Sequence, residues 1–476
     1  MASFLINSAA ETFNGSDTTD TFEVITGASA VTVNGLAGDD TVTLSASAGT
    51  LGDSVFAMGD GDDTFDIATA NSTGHDYQSA SIRGGEGQDT INIGLFSAEI
   101  NNVSVNGNEG DDTINVNLTS IDGTASSITV LGGESADTIT VTSDDDVHEF
   151  YLGGGQDDDA IVYLGGTFTD STLIGGFGED TASAGMDVDS SLIQLGNGTD
   201  GATDSADLLN YSGVIANSTI KGGAGGDTLN IQLDDNSTAT IIEGNAGADT
   251  FNISAIANVD FESTEIRGGA GDDAINLSGA AGDNVSAEIY GGQGADNIDF
   301  IGVTGIIIEG GQGADAMEWG TGEATYVYNF GDSNEGSADT IEAGAAVTGN
   351  DVTIRVDGSD LAIKTAEAST VSVDGTDYTL TFEGGVVFFG DTGINDVTAA
   401  VDFMDGALGD DVAGVFSFAT GELQAAAGTE FYFYAKGQGD ETDLLVEMTD
   451  IGVGAVTGYT LTEANNFGNT EFTFTL

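Results

Sequence analysis

Apolar and polar residues alternate along this chain in short runs, such as Val103-Ser104-Val105 and Ile114-Asn115-Val116. Alternation with a period of two places successive side chains on opposite faces, which predicts half-buried β-strands. The runs occur in pairs, one before and one after a glycine-rich phrase. The pattern therefore predicts a repeating unit of two strands and two turns, here called a coil.

The glycine phrase ends in an aspartate and recurs throughout two thirds of the chain. Two of its copies are Gly84-Gly85-Glu86-Gly87-Gln88-Asp89 and Gly107-Asn108-Glu109-Gly110-Asp111-Asp112. Between Asp40 and Asp315 the aspartate returns every 23 residues on average, including a disturbed copy at Asp207. A single coil cannot bury its own apolar face, so coils must stack about 4.8 Å apart into a solenoid.

These patterns predict an all-β fold: a parallel β-roll or β-solenoid of about 13 coils, followed by a C-terminal β-rich domain. A three-and-four spacing of apolar residues over Asn395–Leu408 predicts one short helix in that domain. The expected organisation is an N-terminal strand or cap over residues 1–13, the solenoid over 14–320, a closing cap over 321–345, and the C-terminal domain over 346–476.

Composition excludes several classes of function. Acidic residues number 80 against 6 basic ones, a formal net charge of −74, so the chain cannot neutralise nucleic-acid phosphates or bind an anionic membrane electrostatically. Cysteine is absent, which excludes disulfides and thiolate metal sites. No apolar stretch is long enough to span a membrane, and we expect no membrane insertion. The sequence contains no recognisable catalytic motif, and we expect no enzyme activity.

Stacking places one motif aspartate above another in every coil. At 4.8 Å two such charges repel by about 0.9 kcal/mol in water and about 3.5 kcal/mol at an effective dielectric constant of 20. A row of cations would reverse this repulsion. Carboxylate and carbonyl oxygens suit a hard cation, and Ca²⁺ accepts six to eight of them in irregular geometry. The predicted calcium ligands are Asp40, Asp63, Asp89, Asp112, Asp137, Asp159, Asp180, Asp227, Asp249, Asp273, Asp296 and Asp315.

The phrase resembles the nonapeptide G-G-x-G-x-D-x-U-x of the RTX (hemolysin-type) calcium-binding proteins, a repeat that binds Ca²⁺ in a parallel β structure. The resemblance implies that each aspartate ligates an ion shared with the next coil. This sequence has one motif per coil, so we expect calcium along one edge only. Ser135 and Asp157 replace a motif glycine in two copies. The ending Thr470–Leu476 is similar to the uncleaved signals of type I secretion substrates.

Together these features favour an extracellular, calcium-dependent structural protein. We expect it to assemble with copies of itself, bridged by calcium, into a surface layer, fibre or matrix. The alternative is a calcium-stabilised adhesin or carbohydrate-binding surface protein with a cell-surface glycan as partner. The first residues lack the basic segment and apolar core of a secretory signal peptide, so we expect export by another route.

Overall fold

A computed structural model shows an all-β chain and confirms the predicted fold class, a parallel β-solenoid followed by a C-terminal β region. The coils number about 12, with roughly 23 residues in each. The structure describes residues 2–25, 29–44, 51–67, 78–94, 99–118, 124–197, 205–234, 237–255, 261–319, 324–329, 332–333, 337–343, 351–356, 362–363, 368–373, 376–381, 386–389, 394, 396–408, 412–417, 431–436, 443–449, 458–463 and 470–475.

The chain forms two compact units, residues 1–246 and 247–476. The strands of the first unit are β1 Ser3–Ile6, β2 Thr12–Asn14, β3 Thr21–Val24, β4 Thr32–Ala37, β5 Thr41–Leu44, β6 Val55–Asp60, β7 Thr64–Ile67, β8 Ser81–Glu86, β9 Thr90–Gly94, β10 Glu99–Glu109, β11 Thr113–Leu118, β12 Thr124–Glu134, β13 Thr138–Ser143, β14 Val147–Gln156, β15 Ala160–Thr169, β16 Thr172–Phe177, β17 Thr181–Asp189, β18 Leu192–Gly196, β19 Leu208–Gly213, β20 Ile215–Ala216, β21 Thr219–Ala224, β22 Thr228–Leu233, β23 Ser237–Thr238 and β24 Ile241–Ala246.

The second unit contains further strands and one helix. They are β25 Thr250–Ala255, β26 Phe261–Ala270, β27 Ala274–Gln293, β28 Asn297–Thr304, β29 Ile306–Gln312, β30 Ala316–Trp319, β31 Ala324–Tyr328, β32 Asp339–Ala343, β33 Asp351–Val356, β34 Ala362–Ile363, β35 Ala368–Val373, β36 Thr376–Thr381, β37 Val386–Phe388, α1 Val397–Ala407, β38 Val412–Ser417, β39 Phe431–Lys436, β40 Leu444–Thr449, β41 Gly458–Glu463 and β42 Thr470–Thr475.

Pairing in the first unit follows one rule from β1 to β17: each strand pairs in parallel with the strand two further along the chain. The strands before and after the glycine phrase therefore build two separate ladders. Inward-facing residues of one ladder form a column that is at most 2% exposed, made of Ile82, Val105, Val130, Leu152 and Leu173. Burying each such side chain contributes about 1.5–3 kcal/mol, and the stacked columns form the core.

In the second unit the C-terminal strands continue both ladders of the solenoid. Strand β40 pairs in parallel with β32 and then carries β39 and β38 in antiparallel order. Strand β42 pairs antiparallel with β33 and β41. The predicted helix is present as α1, whose first turn is capped by the Asp396 carboxylate accepting the Ala399 N–H at 2.9 Å. Among the described residues, no helix is long and apolar enough to cross a membrane.

Candidate metal centre

Each motif aspartate lies where the glycine loop ends and the second strand of its coil begins. The strand starts at the next residue, so the aspartate side chain turns inward, below the loop. All twelve predicted ligands occupy this position, and each is at most 2% exposed: Asp40, Asp63, Asp89, Asp112, Asp137, Asp159, Asp180, Asp227, Asp249, Asp273, Asp296 and Asp315. In each of the two units we call the line that these aspartates form the aspartate edge.

One carboxylate oxygen of each aspartate links two coils. The Asp112 N–H donates to Oδ1 of Asp137 at 2.8 Å, and the same contact recurs at 2.6–3.0 Å over residues 20–227 and again over 249–339. Every such bond satisfies a buried backbone N–H with a charged acceptor, which makes it stronger than a neutral hydrogen bond. The aspartates therefore link neighbouring coils by hydrogen bonds even without a bound ion.

The second oxygen, Oδ2, is buried without a hydrogen-bond donor. This holds at ten of the described aspartates: Asp40, Asp63, Asp89, Asp112, Asp137, Asp159, Asp273, Asp296, Asp315 and Asp339. A buried acceptor that lacks a donor loses its hydration without compensation. This destabilises the fold by about 1–3 kcal/mol, and by more when the acceptor is charged. The same defect in ten coils indicates a common missing partner.

The first glycine of each phrase explains where that partner would fit. A Cβ added at Gly107 would lie 2.0 Å from Oδ2 of Asp112 and 2.6 Å from the carbonyl oxygen of Gly132, the first glycine of the next coil. Gly84 and Gly132 show the same pair of oxygens at 2.0–2.7 Å. A carboxylate and a carbonyl of adjacent coils thus face one small space, and both are acceptors. A cation between them would be favourable to both, because each oxygen can serve as a ligand.

The other two glycines of the phrase serve the backbone. In the coil of Asp89, Gly85 and Gly87 have φ of 136° and 124°, values that side chains with a Cβ rarely adopt. Where the second of these is replaced, Ser135 and Asp157 move to φ of 79° and 68°, the left-handed region. The ladder continues through both copies, since each following aspartate keeps its buried position and its inter-coil hydrogen bond.

Serine hydroxyls close both ends of the aspartate edge. At the start, the Ser16 N–H and hydroxyl donate to Oδ2 of Asp20 at 2.6 and 2.8 Å, while its Oδ1 accepts from Ala2. At the far end, the Asp339 N–H donates to the Ser333 Oγ at 2.7 Å, and this hydroxyl donates to the Leu445 carbonyl. A neutral side chain therefore takes the place of a further carboxylate.

Burial dominates the electrostatics of this edge. It raises the pKa of the carboxyl group from 3.8 to about 7 in Asp63, to about 8 in Asp89 and to about 7 in Asp137, and neighbouring carboxylates raise it further. Asp20 is the exception: the N–H of Ala2 and the Ser16 donors lower its pKa. Hydrogen-bond donors stabilise the anionic form of Asp20. At Asp63, Asp89 and Asp137, burial without a metal ion favours the protonated carboxyl group.

Three further aspartates belong to the edge although the sequence did not single them out as ligands. Asp20, Asp207 and Asp339 are buried and take part in the inter-coil hydrogen bonds. Asp339-Thr340-Ile341 repeats the order of aspartate, threonine and apolar residue found at Asp112, and this order is the signal that could have identified it.

The opposite edge of the coils, called the serine edge, is neutral. Here the N–H of Phe150 donates to the Ser171 Oγ at 2.9 Å, the N–H of Ser171 to the Ser191 Oγ at 2.9 Å, and the N–H of Ser191 to the Ser218 Oγ at 3.1 Å. The residue before each of these serines is not glycine and has φ of 47–52°. Within the described residues no three His, Cys, Asp or Glu side chains converge, so an ion at the aspartate edge would rely largely on backbone carbonyls.

The chain also contains two histidines, one tryptophan and the acidic pair Asp410-Asp411. His148 is on β14, and Trp319 ends β30, paired with Ala343. His75 and Asp410-Asp411 lie outside the described residues.

No family model matches this chain, and no curated protein does. Among solved structures the chain is similar to a hyperactive, Ca²⁺-dependent, β-helical antifreeze protein from an Antarctic bacterium, at 19% identity over 71% of this chain and 84% of that one, with a TM-score of 0.33. At this identity and score the similarity does not extend to ligand or activity.

Proposed function

We propose that this chain is a calcium-stabilised structural protein of the extracellular space, with a row of calcium ions along its aspartate edge. The observation that carries the proposal is the buried Oδ2 without a donor at ten of the described aspartates, in eight of which it faces the first glycine of the phrase. Where this arrangement is present, the motif aspartate and a backbone carbonyl of the next coil, in most cases that of its first glycine, would hold the ion. The ion supplies positive charge that offsets the stacked carboxylates and links neighbouring coils.

The donor set favours calcium over other cations. It contains only oxygen, because the chain lacks cysteine and the described groups that face the space are a carboxylate and a backbone carbonyl. Calcium accepts carbonyl and carboxylate oxygens in irregular arrangements, whereas Mg²⁺ needs near-octahedral geometry and retains its water. Since ligation occurs only in the folded chain, the binding free energy adds to folding stability. Such a protein requires the free calcium of an extracellular medium.

Self-assembly belongs to the same proposal. Twelve bound ions would leave a net charge of about −50, so copies repel over a Debye length of about 8 Å at physiological salt. Strands β1 and β2 pair, among the described residues, only with β3 and β4, and their other edges can receive strands of a second copy. Calcium bridging surface carboxylates such as Asp144 and Asp146 would reduce the repulsion. Electron microscopy in calcium and in chelator tests assembly separately from ion binding.

Calcium removal tests the metal proposal. We expect the purified chain to bind on the order of ten ions, counted by elemental analysis, and to lose most of its β-sheet circular dichroism at pH 7.5 in excess chelator. A site contributes about 4 kcal/mol when free calcium exceeds its Kd a thousandfold. Magnesium at the same concentration should restore little. Full β content in chelator at this pH, or binding of only one or two ions, would contradict the proposal.

A further inference from the structure

An uncharged groove crosses the outer face of the first unit. It has a volume of about 400 Å³, and none of the described residues that line it is charged. Its walls include Tyr151 and Phe177, whose side chains are 41% and 47% exposed. A neutral depression with two half-exposed aromatic rings is unusual on a chain whose formal net charge is −74. We call it the Gly153 groove.

Gly153 creates the groove. The outward-facing row across five coils reads Asn106, Leu131, Gly153, Ile174 and Gln194, and each residue pairs with the next. Only the middle position lacks a side chain, so a notch opens between Leu131 and Ile174. Four coil spacings of about 4.8 Å make the row about 19 Å long, parallel to the stacking direction.

The groove offers two aromatic faces and a hydrogen-bonding group at each end of the row. The side-chain Oδ1 of Asn106 accepts from the Asn108 N–H at 3.1 Å, so the side-chain group that Asn106 can direct to a ligand is its NH₂ donor. The amide nitrogen of Gln194 donates to the Gly196 carbonyl at 2.8 Å, which makes its side-chain oxygen the acceptor on offer.

We propose that the Gly153 groove binds a neutral oligosaccharide lying along the stacking direction. Sugar rings present C–H faces that stack on aromatic rings, and their hydroxyl groups both donate and accept hydrogen bonds. An anionic glycan is disfavoured by the field of the acidic chain, and a cationic ligand finds stronger partners at the surface carboxylates. A peptide strand cannot add here, because β14 and β16 are already paired on both sides. The proposal does not depend on which cation the aspartate edge holds.

Titration calorimetry of the full chain in calcium buffer tests this, with cellohexaose, mannohexaose and maltohexaose as neutral probes and hexagalacturonate as the anionic one. We expect at least one neutral probe to bind and the anionic probe not to bind. Tyr151→Ala should weaken that binding about tenfold, the factor that corresponds to about 1.4 kcal/mol.

Gly153→Leu should abolish binding, because the added side chain fills the notch. A Cβ there would be 3.1 Å from the end of the Leu131 side chain and 3.4 Å from the Tyr151 ring, and the φ of Gly153 lies outside the left-handed region, so the fold can accept the change. Ala57→Leu places the same side chain in the same outward row but outside the groove, and should bind as the parent does.

Several results would overturn the proposal: no binding of any neutral probe, preference for hexagalacturonate, parent-like affinity in both Tyr151→Ala and Gly153→Leu, or binding of a hydrophobic dye in the groove without any sugar binding. Circular dichroism of each variant separates loss of the groove from loss of the fold.

Discussion

The aspartate edge and the serine edge, which is present in only some coils, meet the same backbone requirement with different side chains. At both, a buried N–H must find an acceptor on the next coil: the aspartate edge supplies a carboxylate and the serine edge a hydroxyl. The hydroxyl group also donates a hydrogen bond, as Ser171 does to the Thr169 carbonyl at 2.6 Å, so its donor and its acceptor are both satisfied. A carboxylate has no proton to donate and keeps one oxygen without a donor.

The comparison shows that coil stacking alone does not require aspartate. A row of serines can form the same hydrogen bonds between coils without placing charges next to one another. The aspartate edge is therefore the more costly solution in the absence of an ion, and it becomes the more stable one when ions bind. Differences between the edges should appear as differences in calcium and pH dependence.

The largest expected effect is that of pH on the metal-free chain. Folded carboxyl groups with pKa values near 7 to 8 bind protons that the unfolded chain, with values near 3.8, releases. The stabilisation is fully present below about pH 4 and is lost as pH rises through 6 to 8. In chelator, the urea midpoint should fall steeply between pH 5 and pH 8. In saturating calcium it should stay level or rise, because calcium competes with protons. A midpoint in chelator that rises with pH would contradict this account.

A single carboxylate on the aspartate edge should give a smaller effect whose sign depends on calcium. Asp112→Asn keeps an acceptor for the Asp89 N–H but removes the charge. In calcium we expect the loss of one or two ions and about 4 kcal/mol of stability, and in chelator a gain in stability. The array should remain folded, since solenoid stability is a sum over neighbouring coils.

The exposed neighbour Asp111→Asn is the matched control for that substitution and should leave ion number and stability nearly unchanged. Equal losses from Asp111→Asn and Asp112→Asn would show that general charge, and not the buried position, determines ion binding. Ion number comes from elemental analysis, and stability from urea unfolding.

The smallest effect is expected at the serine edge. Ser191→Ala removes the acceptor of the buried Ser171 N–H. We expect the free energy of unfolding to fall by about 1–3 kcal/mol, because that N–H then has no hydrogen-bond partner. The loss should be the same in calcium and in chelator at pH 5, where the chain still folds. Ser183→Ala, on the outward face of β17, is the control and should be neutral. A calcium-dependent loss at Ser191 would remove the distinction between the two edges.

The sequence predicted the coil, its two strands and the position of every aspartate that repeats with the glycine phrase. Those features recur every 23 residues and are visible without knowledge of contacts. It did not predict the serine edge, because Ser171 and Ser191 occur in only some coils and follow turns of variable length. Nor did it predict that β40 and β42 continue the solenoid ladders, since pairing between distant segments leaves no periodic signal. The Oδ1 contact was also invisible, because it depends on how each carboxylate turns below its loop.

The serines that close the aspartate edge make the array modular in length. Within either unit, the aspartate of each coil accepts an N–H from the coil before it and donates its own N–H to the coil after it, so the contact between successive coils is the same. Ser16 contacts the first aspartate, and Ser333 contacts the last aspartate and the Leu445 carbonyl. Tandem duplication or deletion of one whole coil within either unit would leave both terminal contacts intact. Gene rearrangements could thus lengthen or shorten this protein in steps of about 4.8 Å without redesigning its ends.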